Sequence, residues 1–156
     1  MSNPEELDRR GGAAGPAPEE PAEAVTGGEA RRIVNRVFEE AWNRGEVAVL
    51  DEVLEPGCLG HGPGDGVVTT EQLKQRILER RKAMPDLHYT VQRFIVEGAW
   101  VATLWTGTGT SQAAPEDVAE LVRLSGITVW RVRGSRIAEA WVLGDEGARG
   151  WGPVGD

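Results

Sequence analysis

The hydrophobic period of this chain changes once, at Pro85-Asp86, and that change limits the folds open to it. Before it, large apolar residues recur every three or four positions, as on one face of a helix; after it they alternate, as on one face of a strand. Helices followed by strands predict an α+β fold, with the helices covering one face of an antiparallel sheet.

The helical half divides at its glycines and prolines. Ile33, Val34, Val37, Phe38, Ala41 and Trp42 mark a helix over 29–43, started by Thr26 or the glycines after it and stopped by Gly45. A shorter helix over 47–54 turns Val49, Leu50, Val53 and Leu54 inward. Pro56 and Gly57 end it and open an irregular loop over 55–68, with Cys58, His61 and Pro63 among five glycines. Thr69 and Gln72 fit a capping box for a third helix reaching about Ala83.

In the alternating half, strands over 87–97 and 100–110 meet at a Gly98 turn, and Gly107 with Gly109 predicts a bend or bulge in the second. A polar connection over 111–120 leads to a final hairpin of 121–133 and 135–143, turned by Gly134-Ser135. Strict alternation would set Ile137, Glu139, Trp141, Leu143 and then Asp145 on one face, with Ala138, Ala140, Val142 and Gly144 on the other.

At 156 residues the chain has room for one domain, expected over 29–147. Residues 1–28 carry four of the nine prolines and few large apolar side chains, so a disordered tail is expected there, and a flexible glycine-rich tail over 148–156. Acidic residues outnumber basic ones 25 to 17, and the net charge of −8 argues against nucleic-acid or anionic-membrane partners. With no secretory leader and no bilayer-length apolar run, a soluble cytoplasmic protein is expected. Cys58 is the only cysteine, which excludes an intramolecular disulfide and a thiolate metal cluster and suits a buried structural thiol. No phosphate-binding loop, dinucleotide fingerprint, zinc-ligand spacing or internal repeat is present in the sequence.

Six segments stand in a recognisable order: Phe38–Gly45, the loop His61-Gly-Pro63, Met84–Val91, Val101–Gly109, Ser125–Val132 and Ile137–Asp145. Together they resemble the SnoaL-like polyketide cyclase family of the nuclear transport factor 2-like superfamily, over about 29–146. The resemblance implies a cone-shaped barrel, in which a strongly curved antiparallel sheet covered by three N-terminal helices wraps a deep apolar pocket. It also implies acid/base chemistry with no metal or organic cofactor, a hydrophobic small-molecule substrate, and a homodimer joined through the outer sheet surface. In founding members an aspartate near the end of the last long strand is the acid/base of an aldol ring closure, and the matching position is Asp145. Other relatives open epoxides or isomerise rings. Two segments depart from the pattern: Gly109-Thr-Ser-Gln112 lacks a histidine that many relatives carry there, and Ala113-Ala-Pro-Glu-Asp117 replaces a glycine- and proline-containing loop.

These implications rank the candidate residues. A carboxyl group in an apolar pocket has its charged form disfavoured, so Asp145 would be poised to exchange protons near neutral pH. Glu139 lies roughly 20 Å from it along a straight strand, too far for a dyad; it is either a deeper catalytic group or the partner of an arginine on the neighbouring strand. His61 is the second proton-exchange candidate, its plainer role being to anchor loop carbonyls. His88 reads as a solvent-side strand residue. Trp42, Trp105, Trp130 and Trp141, with Phe38 and Leu143, are expected to line the pocket and hold a planar or polyene-like substrate. Ring closure by aldol or epoxide-opening chemistry is the first functional reading. An epoxide hydrolase, a ring isomerase and a non-catalytic binder are the alternatives, the first of these lacking a clear Asp-Arg-Asp set in the sequence.

Overall fold

Thr26 starts the first helix: its side-chain oxygen accepts the Glu29 amide at 3.2 Å, satisfying one of the donors a helix start leaves unpaired. The protein is seen here in a computed structural model that describes residues 25–62, 66–112 and 119–144. The expectations for residues 1–24, Pro63, the 113–117 segment, Asp145 and the 148–156 tail lie outside the described residues. Helix α1, Gly27–Arg36, buries Ala30 and Val34 and runs on as a π-helical segment, Val37–Trp42. That wider turn places Val37, Phe38 and Ala41 together on the buried side. A short α2, Val49–Val53, follows, and then α3, Thr70–Ala83, opened by the expected capping box of Thr69 and Gln72.

Two side chains clamp the helical layer to the sheet. Asn43 donates its amide to the Tyr89 carbonyl at 2.9 Å and accepts the Tyr89 N–H at 2.7 Å, which serves both backbone groups of a residue on an edge strand. Arg81 on α3 donates to the carbonyls of Trp42 and Leu87 at 2.9 and 3.3 Å. Beneath this clamp Val34, Leu50, Ile77, Val101 and Ile137 are fully buried and form the centre of the core.

The four long strands appear where the alternation places them. We label them β3, His88–Glu97; β4, Trp100–Ser111; β5, Glu120–Arg133; and β6, Arg136–Gly144. Gly98 and Gly134 turn the two hairpins at φ of 56° and 60°, a region that costs a glycine little. The glycine-rich stretch after α2 is not the irregular loop expected. It forms β1, Leu54–His61, parallel to β6, and β2, Val67–Thr69, antiparallel to β1. The sheet therefore has six strands in the order β2-β1-β6-β5-β4-β3, curved and unclosed, and one of its pairs is parallel. Strand β1 carries no clear apolar alternation of its own; the exposed edge of β6 recruits it.

Two local expectations are corrected by the ladder. Gly107 and Gly109 make no bulge, since β4 pairs with β5 without a break from Trp100↔Arg131 to Ser111↔Glu120. They give room instead, because a Cβ at Gly107 would lie 2.8 Å from the Tyr89 ring and one at Gly109 3.0 Å from Met84. The irregularity that matters is in β6, where Ile137 faces Val132 and Glu139 faces Arg131, leaving Ala138 as an extra residue. This bulge resets the alternation. Ile137 stays on the concave face with Ala140, Val142 and Gly144, whereas Glu139, Trp141 and Leu143 turn to the outer face, contrary to the single face expected for Ile137 and the other three.

Gly126 and Gly144 lie side by side under the Trp105 indole; a Cβ on Gly126 would sit 2.5 Å from the ring, 2.8 Å from Gly144 Cα and 2.9 Å from the Leu143 carbonyl. Backbone on two sides cannot yield as a flexible side chain would. Gly126→Ala is expected to destabilise the fold by about 1–3 kcal/mol, read as a lower denaturant midpoint at unchanged slope.

Candidate functional site

Between the helical layer and the concave face of the sheet lies a cavity whose empty space, counted out through its open mouth, is about 990 Å³. Its wall is chiefly apolar and includes five large aromatic side chains. The π-helical segment supplies Phe38 and Trp42, β3 supplies Tyr89, and β4 and β5 supply Trp105 and Trp130. These rings meet edge to face: Phe38 with Trp130 at 5.8 Å, Trp42 with Tyr89 at 5.0 Å, and Tyr89 with Trp105 at 5.4 Å between centroids. Ala140, Val142 and Gly144 form the β6 side of the wall, small enough to leave the space open.

Indoles buried in a wall need partners for their N–H groups, and the ladder provides them. Thr103 stands directly opposite Thr128. Trp105 Nε1 donates to Thr128 Oγ1 and Trp130 Nε1 to Thr103 Oγ1, each at 2.9 Å, while the Thr103 hydroxyl donates to the Thr128 carbonyl at 3.2 Å. Both threonines are buried. Each tryptophan is thus pinned by the threonine of the other strand.

The arginines that line the cavity come from α3, and β3 adds the Tyr89 hydroxyl. Arg76 and Arg80 both line it, one helical turn apart. Arg80 donates to the Tyr89 hydroxyl at 3.1 Å, and its guanidinium carbon lies 5.6 Å from the Trp42 ring centroid, within cation–π range. Cys58, buried as expected, is also part of the wall. Burial above all, and then the nearby Glu55 and Glu139 carboxylates, push its thiol up to about 11, so it is no nucleophile at neutral pH. Among the described residues, no group of three or more His, Cys, Asp or Glu side chains converges as a metal site.

The outer face of the sheet holds the other candidates. His61 is opposite Trp141 in the β1–β6 ladder and stacks on it at 5.5 Å with an interplanar angle of 19°. Its Nε2 lies 2.5 Å from Glu139 Oε2; a carboxylate only accepts, so Nε2 carries the hydrogen. Arg131 donates to the other Glu139 oxygen at 3.2 Å, the neighbouring-strand arginine pairing weighed for this residue. His61 belongs to the cavity wall, but its imidazole is engaged on the far side of it. Trp141 and Leu143, expected at the pocket, and Glu139, read either as a deeper catalytic group or as an arginine's partner, are not among its lining residues, because the Ala138 bulge turns them outward. His88 is exposed as expected. Phe38, Trp42, Trp105 and Trp130 are the candidates that the fold brings together.

Sequence reasoning passed over Arg80, Tyr89, Thr103 and Thr128. The two threonines carried a usable signal, since each sits two positions from a tryptophan on the inward side of a strand otherwise filled by apolar residues. Arg80 carried none, being one of several cations on a helix whose apolar stripe is weak.

A model of the SnoaL-like polyketide cyclases matches residues 32–148 of the chain. Among solved structures, IdmH of Streptomyces antibioticus, whose proposed role is polyketide cyclase, matches with a TM-score of 0.67 at 23% identity, over 74% of this chain and 91% of its own. AclR of Streptomyces galilaeus, whose proposed role is hydroxylase, gives 0.68 at 20% identity over 80% of this chain and 82% of its own. TsrD of Streptomyces laurentii gives 0.65 at 18% identity over 78% and 91%. At these identities the structural likeness speaks for the fold. No curated protein matches the chain by sequence.

The outer-face ion cluster has a pH signature. Glu139 is held below the ordinary carboxylate range, first by its bond to His61 and then by Arg131, with desolvation opposing them. The folded state therefore binds this proton less tightly than the unfolded chain, whose value is near 4.5. The resulting stabilisation is complete above that pH and is lost as pH falls through the lower folded-state value. Glu139→Gln should lose stability at neutral pH, and its denaturation midpoint should fall less steeply than the wild type's between about pH 5 and pH 3; parallel acid profiles for the two proteins would remove the pairing from the stability of the fold.

Proposed function

The chain belongs to the SnoaL-like polyketide cyclase family, and on that premise we propose that it closes a ring in a polyketide-like intermediate of secondary metabolism, by cofactor-independent acid/base chemistry on Asp145. The observation that carries this reading is the aromatic cavity whose β6 wall ends at Gly144, the residue before Asp145 in the chain. In an aldol closure Asp145 takes the proton from a carbon beside a carbonyl. That carbon then bonds to a second carbonyl of the same molecule, and the alkoxide formed recovers the proton from Asp145. The same group serves an epoxide opening by protonating the epoxide oxygen and taking the proton that the attacking internal hydroxyl releases. The edge-to-face walls favour this chemistry by holding a flexible precursor folded, so that its two reacting carbons start close together. His61 has no part in the scheme, since its ring is held by Glu139 and Trp141.

One observation favours a second reading, a carrier without catalysis: no carboxylate of the described residues lines the cavity, so the chemistry rests on Asp145 alone. Asp145→Asn separates the two. With a linear poly-β-ketone surrogate followed by product absorbance, the variant should lose about 10²–10⁴-fold in turnover while still binding the surrogate. Unchanged turnover would remove Asp145 from the mechanism, and binding without turnover by the wild type would establish the carrier.

The same premise supports a cytoplasmic homodimer joined through the outer sheet face. The ladder aligns Leu104, Ile127 and Leu143 in one row and Ile95, Ala102, Val129 and Trp141 in the next. Of these, Ile95, Leu104, Ile127 and Leu143 are exposed large hydrophobics, and so is Trp100, 5.5 Å from Trp141. Among the described residues no helix is long and apolar enough to cross a membrane. Sedimentation equilibrium should give a dimer for the wild type and a monomer for Ile127→Arg at the centre of the patch; a monomeric wild type would exclude this interface.

A further inference from the structure

We infer that the α3 end of the cavity is an anion subsite, with Arg80 as its centre, and that the ligand of this pocket is an apolar, ring-sized molecule bearing an ionised oxygen such as a carboxylate or an enolate. This rests on the cavity being the ligand site of the proposed cyclase. A guanidinium carries five N–H donors and a charge that desolvation makes costly, so one facing an apolar cavity needs an anion or water. Arg80 is half-buried; it gives one donor to the Tyr89 hydroxyl and holds its guanidinium carbon 5.6 Å from the Trp42 ring centroid, and no carboxylate among the described residues pairs with it. The other α3 cations near it are differently placed. Lys74 is bound by Asp51 and Glu71, and Arg81 is spent on the carbonyls of Trp42 and Leu87.

The geometry also states where the anion goes. Arg80 is fixed in direction by two aromatic residues that themselves form the wall, Trp42 and Tyr89, which meet edge to face at 5.0 Å. A planar ligand lying against Trp42, Tyr89 and Trp105 would bring its charged edge to the guanidinium and its ring to the indoles. For a poly-β-ketone precursor this subsite would favour the enolate form at the carbonyl it holds, so that the charge developed in ring closure would meet a preorganised donor.

The test uses 2-naphthoate and its neutral counterpart 2-naphthamide, read by calorimetry on the full chain. Naphthoate should bind the wild type about tenfold or more tightly than naphthamide. In Arg80→Gln that preference should collapse, in Arg80→Lys part of it should return, and in Asp145→Asn it should persist. Equal affinity of the wild type for the two probes, or an unchanged preference in Arg80→Gln, would overturn the anion subsite while leaving the cyclase reading intact. Binding of neither probe would overturn both, since the cavity would then admit no ring-sized ligand. The wild-type comparison decides the matter if Arg80→Gln does not fold.

Discussion

Two indoles and two hydroxyls set the form of this protein. Thr103 and Thr128 face each other across β4 and β5, and each accepts the N–H of the tryptophan that belongs to the other strand. A buried indole nitrogen without a partner costs about 1–3 kcal/mol, so the exchange is what allows two large rings to lie along the concave face instead of at its rim. Once they lie there, the residues beneath and beside them are constrained. Gly126 and Gly144 are small because Trp105 covers them, and Gly107 is small because the Tyr89 ring occupies its place. The helical layer then rests on the far side of the rings, through Phe38 and Trp42, and cannot close down on the sheet. The cavity is the distance those aromatic edges keep.

The two faces of the sheet divide the polar chemistry unevenly. The concave side has neutral hydrogen bonds that are satisfied within the wall, plus guanidinium groups at its α3 end. The outer side holds the Glu139 carboxylate in an apolar field, shared by the His61 ring and the Arg131 guanidinium beside Trp141 and Trp100. Each member of this cluster remains partly in water, which keeps its contribution to stability modest.

What the sequence made legible followed from its periods. The change after Pro85-Asp86 located the four long strands, Gly98 and Gly134 located their turns, and Thr69 with Gln72 located the start of α3. The pocket-facing aromatics Phe38, Trp42, Trp105 and Trp130 were legible for the same reason, since they sit in phase with apolar neighbours. Two kinds of feature were not. Strand β1 is defined by the strand it pairs with, and its run of glycine, proline and cysteine shows no pattern that a local reading could use. The Ala138 bulge leaves no mark either, because an alanine in a strand looks the same whether or not it is paired. For that reason Glu139, Trp141 and Leu143 were read on the wrong side of the sheet.

That bulge also decides which face of the sheet each later residue of β6 serves. A strand has a parity, and Ala138 is the residue that sets it for everything after it in β6. Substitutions near the cavity can only resize one position at a time: Ala140 to something larger, Val142 to something smaller. A slip of one residue, with Ala138 taking the place opposite Arg131, would act on the whole segment at once, exchanging the row of Ala140 and Val142 for the row of Glu139, Trp141 and Leu143. An apolar chamber would then receive a carboxylate and an indole in one step, while the outer surface would lose its aromatic centre and its ion cluster together. The register of this strand is thus the coarse control of the chamber's chemistry, and point changes the fine one.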